Sequence, residues 1–305
     1  MTPAVDTFPL PLNRIVTRAF GPRGGFRSPG VEIIRDLAAA YGVPFPAQRY
    51  ATDRRTTFTE MVADLVDELT EPDDPVGLVV LAHAVPDAET GWPACYLATA
   101  LPADPMAFAV ADQGVVTPFT ALRIAAAQVR ARNLTRAVVL ILDQTVLLRD
   151  PAADADPPTP TENRVVALTF GRPGAVDRPG TGGVGGRDVV GRLSVELTPA
   201  VTPPRADELL PELIAAAGIG ADHRLVLGGG LADHVAAAAA GTGTAATTAA
   251  AAATVAPAGL PGTGTWATLA SQLDTSATAG ARAVTIVDYD SRLSILARST
   301  IDLAR

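Results

Sequence analysis

The sequence predicts a duplicated α/β fold, and three observations lead to it. Apolar strands alternate with amphipathic helical stretches along most of the 305 residues. Two core strands, Gly77-Leu78-Val79-Val80-Leu81 and Arg224-Leu225-Val226-Leu227-Gly228, are each followed at nearly equal spacing by a matching strand, Arg136-Ala137-Val138-Val139-Leu140 and Arg282-Ala283-Val284-Thr285-Ile286. In both halves another strand comes next, at Val165–Phe170 and Leu293–Arg298. A repeat this long marks a duplicated domain and not a solenoid. The expected halves are 1–172 and 189–305.

Composition narrows the class. The chain is 48% hydrophobic but only 5% aromatic, so its core is built from Val, Leu, Ile and Ala. A net charge of −8 argues against nucleic acid as a partner. The single cysteine, Cys95, excludes an internal disulfide and fits a reducing compartment. The N-terminus lacks a basic start followed by an apolar stretch, and no run suits a membrane span. A cytoplasmic protein without cofactor or metal is expected.

Taken in order, the first forty residues read as irregular, broken by Gly21, Gly24, Gly25 and Pro29, with a short helix at Val31–Tyr41. Phe58–Leu69 has apolar residues at helical spacing, with Thr57 as its N-cap. Gly77–Ala84 is a near-continuous apolar run, the mark of a strand covered on both faces. Trp92–Leu101 reads as a helix. Met106–Leu122 then reads as a strand, a tight turn at Asp112-Gln113-Gly114 and a helix opening near Thr117-Pro118, where proline suits a first turn.

Further along, a helix is expected at Ala121–Arg132, a strand at Arg136–Gln144 and an acidic, Pro-rich loop at Pro151–Pro160. The Gly-rich stretch Gly171–Gly186 lacks the lysine and following helix of a phosphate-binding loop. The second half holds strands at Arg192–Leu197 and Arg224–Gly228 and a helix at Ala206–Ala217. An Ala-rich helix and another near Trp266 follow, and the chain closes on the strands Arg282–Tyr289 and Leu293–Arg298.

A strand-turn-helix elbow gathers backbone donors at a helix N-terminus, and nucleophilic enzymes place Ser or Cys at its tip. This elbow offers neither. That absence directs the functional reading.

The arrangement resembles the thiolase fold, and most closely the ketoacyl-synthase-III family, from about Gly42 to Arg298. The segments that carry the resemblance are GLVVLAHAVPDAETGWPACYLATAL, the elbow with ALRIAAAQVRARNLTRAVVLILD, RLVLGGGLADH and LPGTGTWATLASQLDTSATAGARAVTIVDYD. The resemblance implies a five-layer αβαβα fold of two similar halves. In the family these segments carry a Cys nucleophile at the elbow, a His, an Asn and a closing Gly-rich loop. The thiolate accepts an acyl group, and the His and Asn stabilise the charge that develops during decarboxylation and condensation. Here the nucleophile position falls on Gln113, Gly114 or Val115, the His position on Gly228 and the Asn position on Thr263. The closing loop has become Val287-Asp288-Tyr289-Asp290.

Loss of all four elements implies a partner that kept the fold and gave up the reaction. The expected role is a noncatalytic, chain-length-factor-type subunit, or an acyl-binding partner, in specialised acyl or polyketide biosynthesis. Such a subunit would form a homodimer, or a heterodimer with an intact ketosynthase-like chain, and would meet an acyl carrier protein. The resemblance puts Trp92, before Pro93, at the two-fold interface bordering the partner's acyl tunnel; plain packing is the other reading. The alternative function is an acyltransferase or thioester hydrolase with relocated residues, for which Asp112, His83 and Cys95 are the candidates. Each has a structural reading: a helix-capping Asp112, a satisfied His83, a core Cys95. Asp143 reads as structural. The pairs Asp222-His223 and Asp233-His234 invite a metal, but capping or solvated roles suit them better because metal ligands must converge.

Overall fold

In the computed structural model, residues 10–23, 31–42, 44–71, 73–87, 92–146, 159–171, 186–216, 222–240, 253–274 and 280–303 are described. Most of the expected loop at Pro151–Pro160 and most of Gly171–Gly186 lie outside them. The first half contains β1 (Leu10–Phe20), α1 (Val31–Ala40), α2 (Ala47–Thr52), α3 (Phe58–Ala63), α4 (Val66–Leu69), β2 (Leu78–His83), α5 (Pro93–Ala100), β3 (Met106–Ala111), α6 (Thr117–Arg132), β4 (Ala137–Asp143) and β5 (Asn163–Phe170). The second half contains β6 (Gly186–Thr198), α7 (Pro203–Ala216), β7 (His223–Leu227), α8 (Ala232–Ala240), β8 (Thr254–Val255), α9 (Gly264–Asp274), β9 (Ala283–Asp290) and β10 (Ile295–Leu303).

The strands are ordered β3-β2-β4-β5-β1-β6-β10-β9-β7-β8, so the second five mirror the first across the antiparallel β1–β6 pair. The pairings repeat too. β2 runs parallel to β3 and β4, and β7 runs parallel to β8 and β9. β4–β5 and β9–β10 are antiparallel. The ladder is continuous through β1–β6, so the two halves share one ten-stranded ladder.

Alternation along the strands creates the layers. Leu78, Val80 and Ala82 of β2, with Ala137, Val139 and Ile141 of β4, face a central cluster that includes Phe119 of α6 and Trp266 of α9. The intervening Val79, Leu81, Val138 and Leu140 face Phe58, Met61 and Leu97 on the outer helices of the first half. In the second half Val284 and Ile286 face the centre, while Val287 and Tyr289 face Leu210 and Ile214 of α7. Three helix layers therefore enclose two sheet layers: this is the five-layer αβαβα architecture. Phe119 and Trp266 meet at 5.2 Å between ring centroids in the middle layer, joining the two halves.

The irregular N-terminus expected from sequence is instead β1, eleven residues at the centre of the sheet. Its register shifts between Leu12 and Arg14, a bulge that breaks the apolar alternation and hides the strand. The single helix expected over Phe58–Leu69 is two, interrupted at Asp64 and Leu65. Thr57 does cap the first, in a reciprocal pair with Glu60. Among the described residues no helix is long and apolar enough to cross a membrane.

Candidate functional site at the elbow

The elbow is made by two left-handed residues on either side of Gln113. Asp112 has φ 63° and Gly114 has φ 52°, and together they turn β3 into a short 3-10 turn, Gly114–Val116, that leads into α6. Thr117 locks the turn. Its hydroxyl accepts from the Gln113 N–H at 3.2 Å and donates to the Gly114 carbonyl at 2.8 Å. The expected cap, Asp112, is exposed and makes no capping bond. The Gln113 side chain accepts a bond from the Thr120 hydroxyl, seven residues further on in the first turn of α6.

Opposite the elbow stands the end of β9. A Cβ on Gly114 would lie 1.8 Å from Oδ2 of Asp290, and a Cβ on Gly228 would lie 1.9 Å from Cγ of Asp288. Gly228 has an ordinary φ of −70°, so close approach and not backbone conformation requires glycine there. Residues 288 and 290 share one face of β9 because side chains alternate along a strand. The carboxyl groups thus occupy the room that larger residues at 114 and 228 would need.

Asp288 is held by three donors. Its Oδ1 accepts from the N–H groups of Gly230, at 3.1 Å, and Tyr289, at 2.9 Å, and its Oδ2 accepts from the Thr265 hydroxyl at 3.0 Å. Burial raises its pKa to about 7, with these bonds opposing the shift and the Asp290 charge adding to it. Asp290 accepts from the Leu293 N–H at 2.9 Å.

Asp143, ending β4, reaches into the other half. It accepts from the N–H of Gly262 at 3.1 Å and from both the N–H and the hydroxyl of Thr263 at 2.7 Å. Thr263 is therefore committed to a structural carboxylate beside the start of α9. Burial pushes the Asp143 pKa up, and the Thr263 and Gly262 bonds work against that. The structural reading of Asp143 agrees with this geometry.

The other sequence candidates do not converge on the elbow as a constellation. His83 is buried, its Nδ1 2.7 Å from the Val85 carbonyl and its ring against Phe58. Burial lowers its pKa, against the Val85 bond and the Asp112 charge. Cys95 is exposed, which corrects the core reading: only Leu97 of α5 is buried, and Cys95 lies off that face. Trp92 is 71% exposed at φ 49°, just ahead of α5. His223 bonds Thr285 at 2.8 Å, and His234 bonds Asp207 at 2.6 Å instead of neighbouring Asp233. Among the described residues no group of three or more His, Cys, Asp or Glu side chains is arranged to hold a metal ion.

Sequence reasoning marked 287–290 as an altered loop but did not see that two of its carboxyls fill the spaces above the elbow and strand glycines. The signal was available: glycines at 114 and 228 coincide with acids at alternating positions, 288 and 290.

This is a thiolase-like fold of the ketoacyl-synthase-III type. Solved structures similar to it include 3-oxoacyl-(acyl carrier protein) synthase III of Pseudomonas aeruginosa, at 12% identity over 97% of this chain and 99% of that one, TM-score 0.53. The tetronic acid condensing enzyme AbyA1 is 16% identical over 96% and 99%, TM-score 0.55. OleA of Xanthomonas campestris with bound cerulenin is 12% identical over 97% and 99%, TM-score 0.59. No family description matches the sequence, and no curated protein matches it significantly.

Proposed function

We propose that this chain is a noncatalytic ketosynthase-like subunit of the chain-length-factor type, or an acyl-binding partner, in specialised acyl or polyketide biosynthesis. The observation that carries the reading is the filling of the elbow. Gly114 and Gly228 bear no side chain, and Asp290 and Asp288 occupy the adjoining space. Covalent acyl transfer needs a nucleophile that a neighbouring base or a helix N-terminus can activate. The elbow supplies a glutamine and a glycine instead. Similarity in fold to a tetronic acid condensing enzyme and to the acyltransferase ChlB3 supports a biosynthetic setting.

A dimer fits the same reading. β3 is an edge strand of sequence MAFAVA, without lysine or proline to discourage strand addition. Trp92 presents a large apolar surface with one donor on the neighbouring segment. The test is assembly with an intact triad-bearing synthase from the same gene neighbourhood, read by native mass spectrometry. A one-to-one complex supports the subunit reading. Failure to associate at micromolar concentration contradicts it.

The alternative, an acyltransferase or thioester hydrolase, has one observation in its favour. Asp288, at about 7, has the pKa of an acid-base group suited to neutral pH. Its carboxyl is fully buried, so the noncatalytic reading is preferred.

A further inference from the structure

On the side of α6 between the helix and the strands β1 and β6 lies a groove of about 300 Å³. Leu10, Leu193 and Val195 form its strand wall, and Ile124 and Ala127 its helix wall. Thr120, Arg123, Ile124 and Ala127 stand three and four residues apart, so they line one face of the helix over about 10 Å. The Thr120 hydroxyl is already donated to Gln113, which ties the head of the groove to the elbow. Arg123 is the one charged residue of the lining. It is exposed and makes no hydrogen bond or ion pair among the described residues.

We propose that this groove binds the alkyl chain of a medium-chain monocarboxylate, with the Arg123 guanidinium holding the carboxylate. The apolar wall matches a hydrocarbon chain, whose transfer from water is favourable in proportion to the area buried. A guanidinium presents two parallel N–H groups to a carboxylate. A single cation matches one carboxylate and not the higher charge of a phosphate group. The site is separate from the spaces above Gly114 and Gly228, so it stands whether or not the chain is noncatalytic.

Calorimetric titration of the full chain with decanoate and with decanol tests this. Decanoate is expected to bind saturably. Arg123→Gln is expected to weaken decanoate about tenfold, the usual effect of losing a charge-assisted bond, and to leave decanol unchanged. Ala127→Trp, which fills the groove from the helix side, is expected to abolish both, and Val195→Trp, filling it from the strand side, is a second route to the same loss. Absence of saturable decanoate binding overturns the proposal, as a groove covered by a second copy of the chain would produce. So does equal decanoate affinity in Arg123→Gln, or unchanged binding in the folded groove-filling variants.

Discussion

Asp290 and Gly114 are complementary: the carboxylate oxygen of one lies 1.8 Å from where a Cβ on the other would have to be. The pair joins the end of β9 in the second half to the elbow in the first. A residue larger than glycine at 114 must displace Asp290, and its backbone must also tolerate φ 52°.

Gly114→Cys alone is therefore expected to lose about 3 kcal/mol of stability, from overpacking together with left-handed strain. Adding Asp290→Gly should restore part of that loss, although it removes the bond to the Leu293 N–H. Urea unfolding of the three variants measures the coupling. Full stability in Gly114→Cys would mean that Asp290 moves aside freely.

Asp288 gives a pH signature of definite sign. Its folded pKa, about 7, lies above the ordinary aspartate value of 3.8, so the folded chain holds the proton more tightly than the unfolded one. Its contribution is fully present below about pH 4 and is lost as pH rises to about 7, on the order of 4 kcal/mol across that window. Asp288→Asn keeps an oxygen acceptor for the Gly230 and Tyr289 N–H groups, turns an amide donor toward the Thr265 hydroxyl, and removes the titration. Stability measured from pH 4 to 8 should fall less in the variant than in the parent. Parallel curves would contradict the buried, protonatable carboxyl.

Asp143 ties the two halves together. Asp143→Ala would leave the Gly262 and Thr263 donors buried without an acceptor, at about 1–3 kcal/mol for each unsatisfied group. A drop in the urea midpoint with an unchanged slope is the expected outcome. A change under 0.5 kcal/mol would show that water replaces the carboxylate.

Much of this was legible in the sequence. The buried strands β2, β4, β7 and β9 announce themselves as apolar runs, and Thr57 with Glu60 announces a helix start. β1 was hidden by its bulge. β8 is only two residues long and carries no period. At the site, the absence of Ser or Cys from the elbow was readable from its residue types. What stands over it was not, because Asp288 and Asp290 act across long chain separations and only the folded pairing brings them over glycines. Cys95 was misread because a short helix of small and apolar residues, PACYLATA, does not reveal which face is inward.

Trp92 separates packing from function. At 71% exposure, Trp92→Ala should change the isolated chain's stability by less than about 0.5 kcal/mol. In a complex with an intact synthase it should lengthen or broaden the products while the complex stays assembled. Product chain lengths by mass spectrometry decide this, and unchanged products from an intact mutant complex would leave Trp92 as packing alone.

The central claim is that this chain carries no acyl group of its own. Intact-protein mass spectrometry after incubation with several acyl-CoA and acyl-carrier-protein donors tests it most directly. The account predicts the unmodified mass with every donor. A stoichiometric acyl adduct on Cys95, abolished by Cys95→Ala, would contradict it and establish a relocated nucleophile.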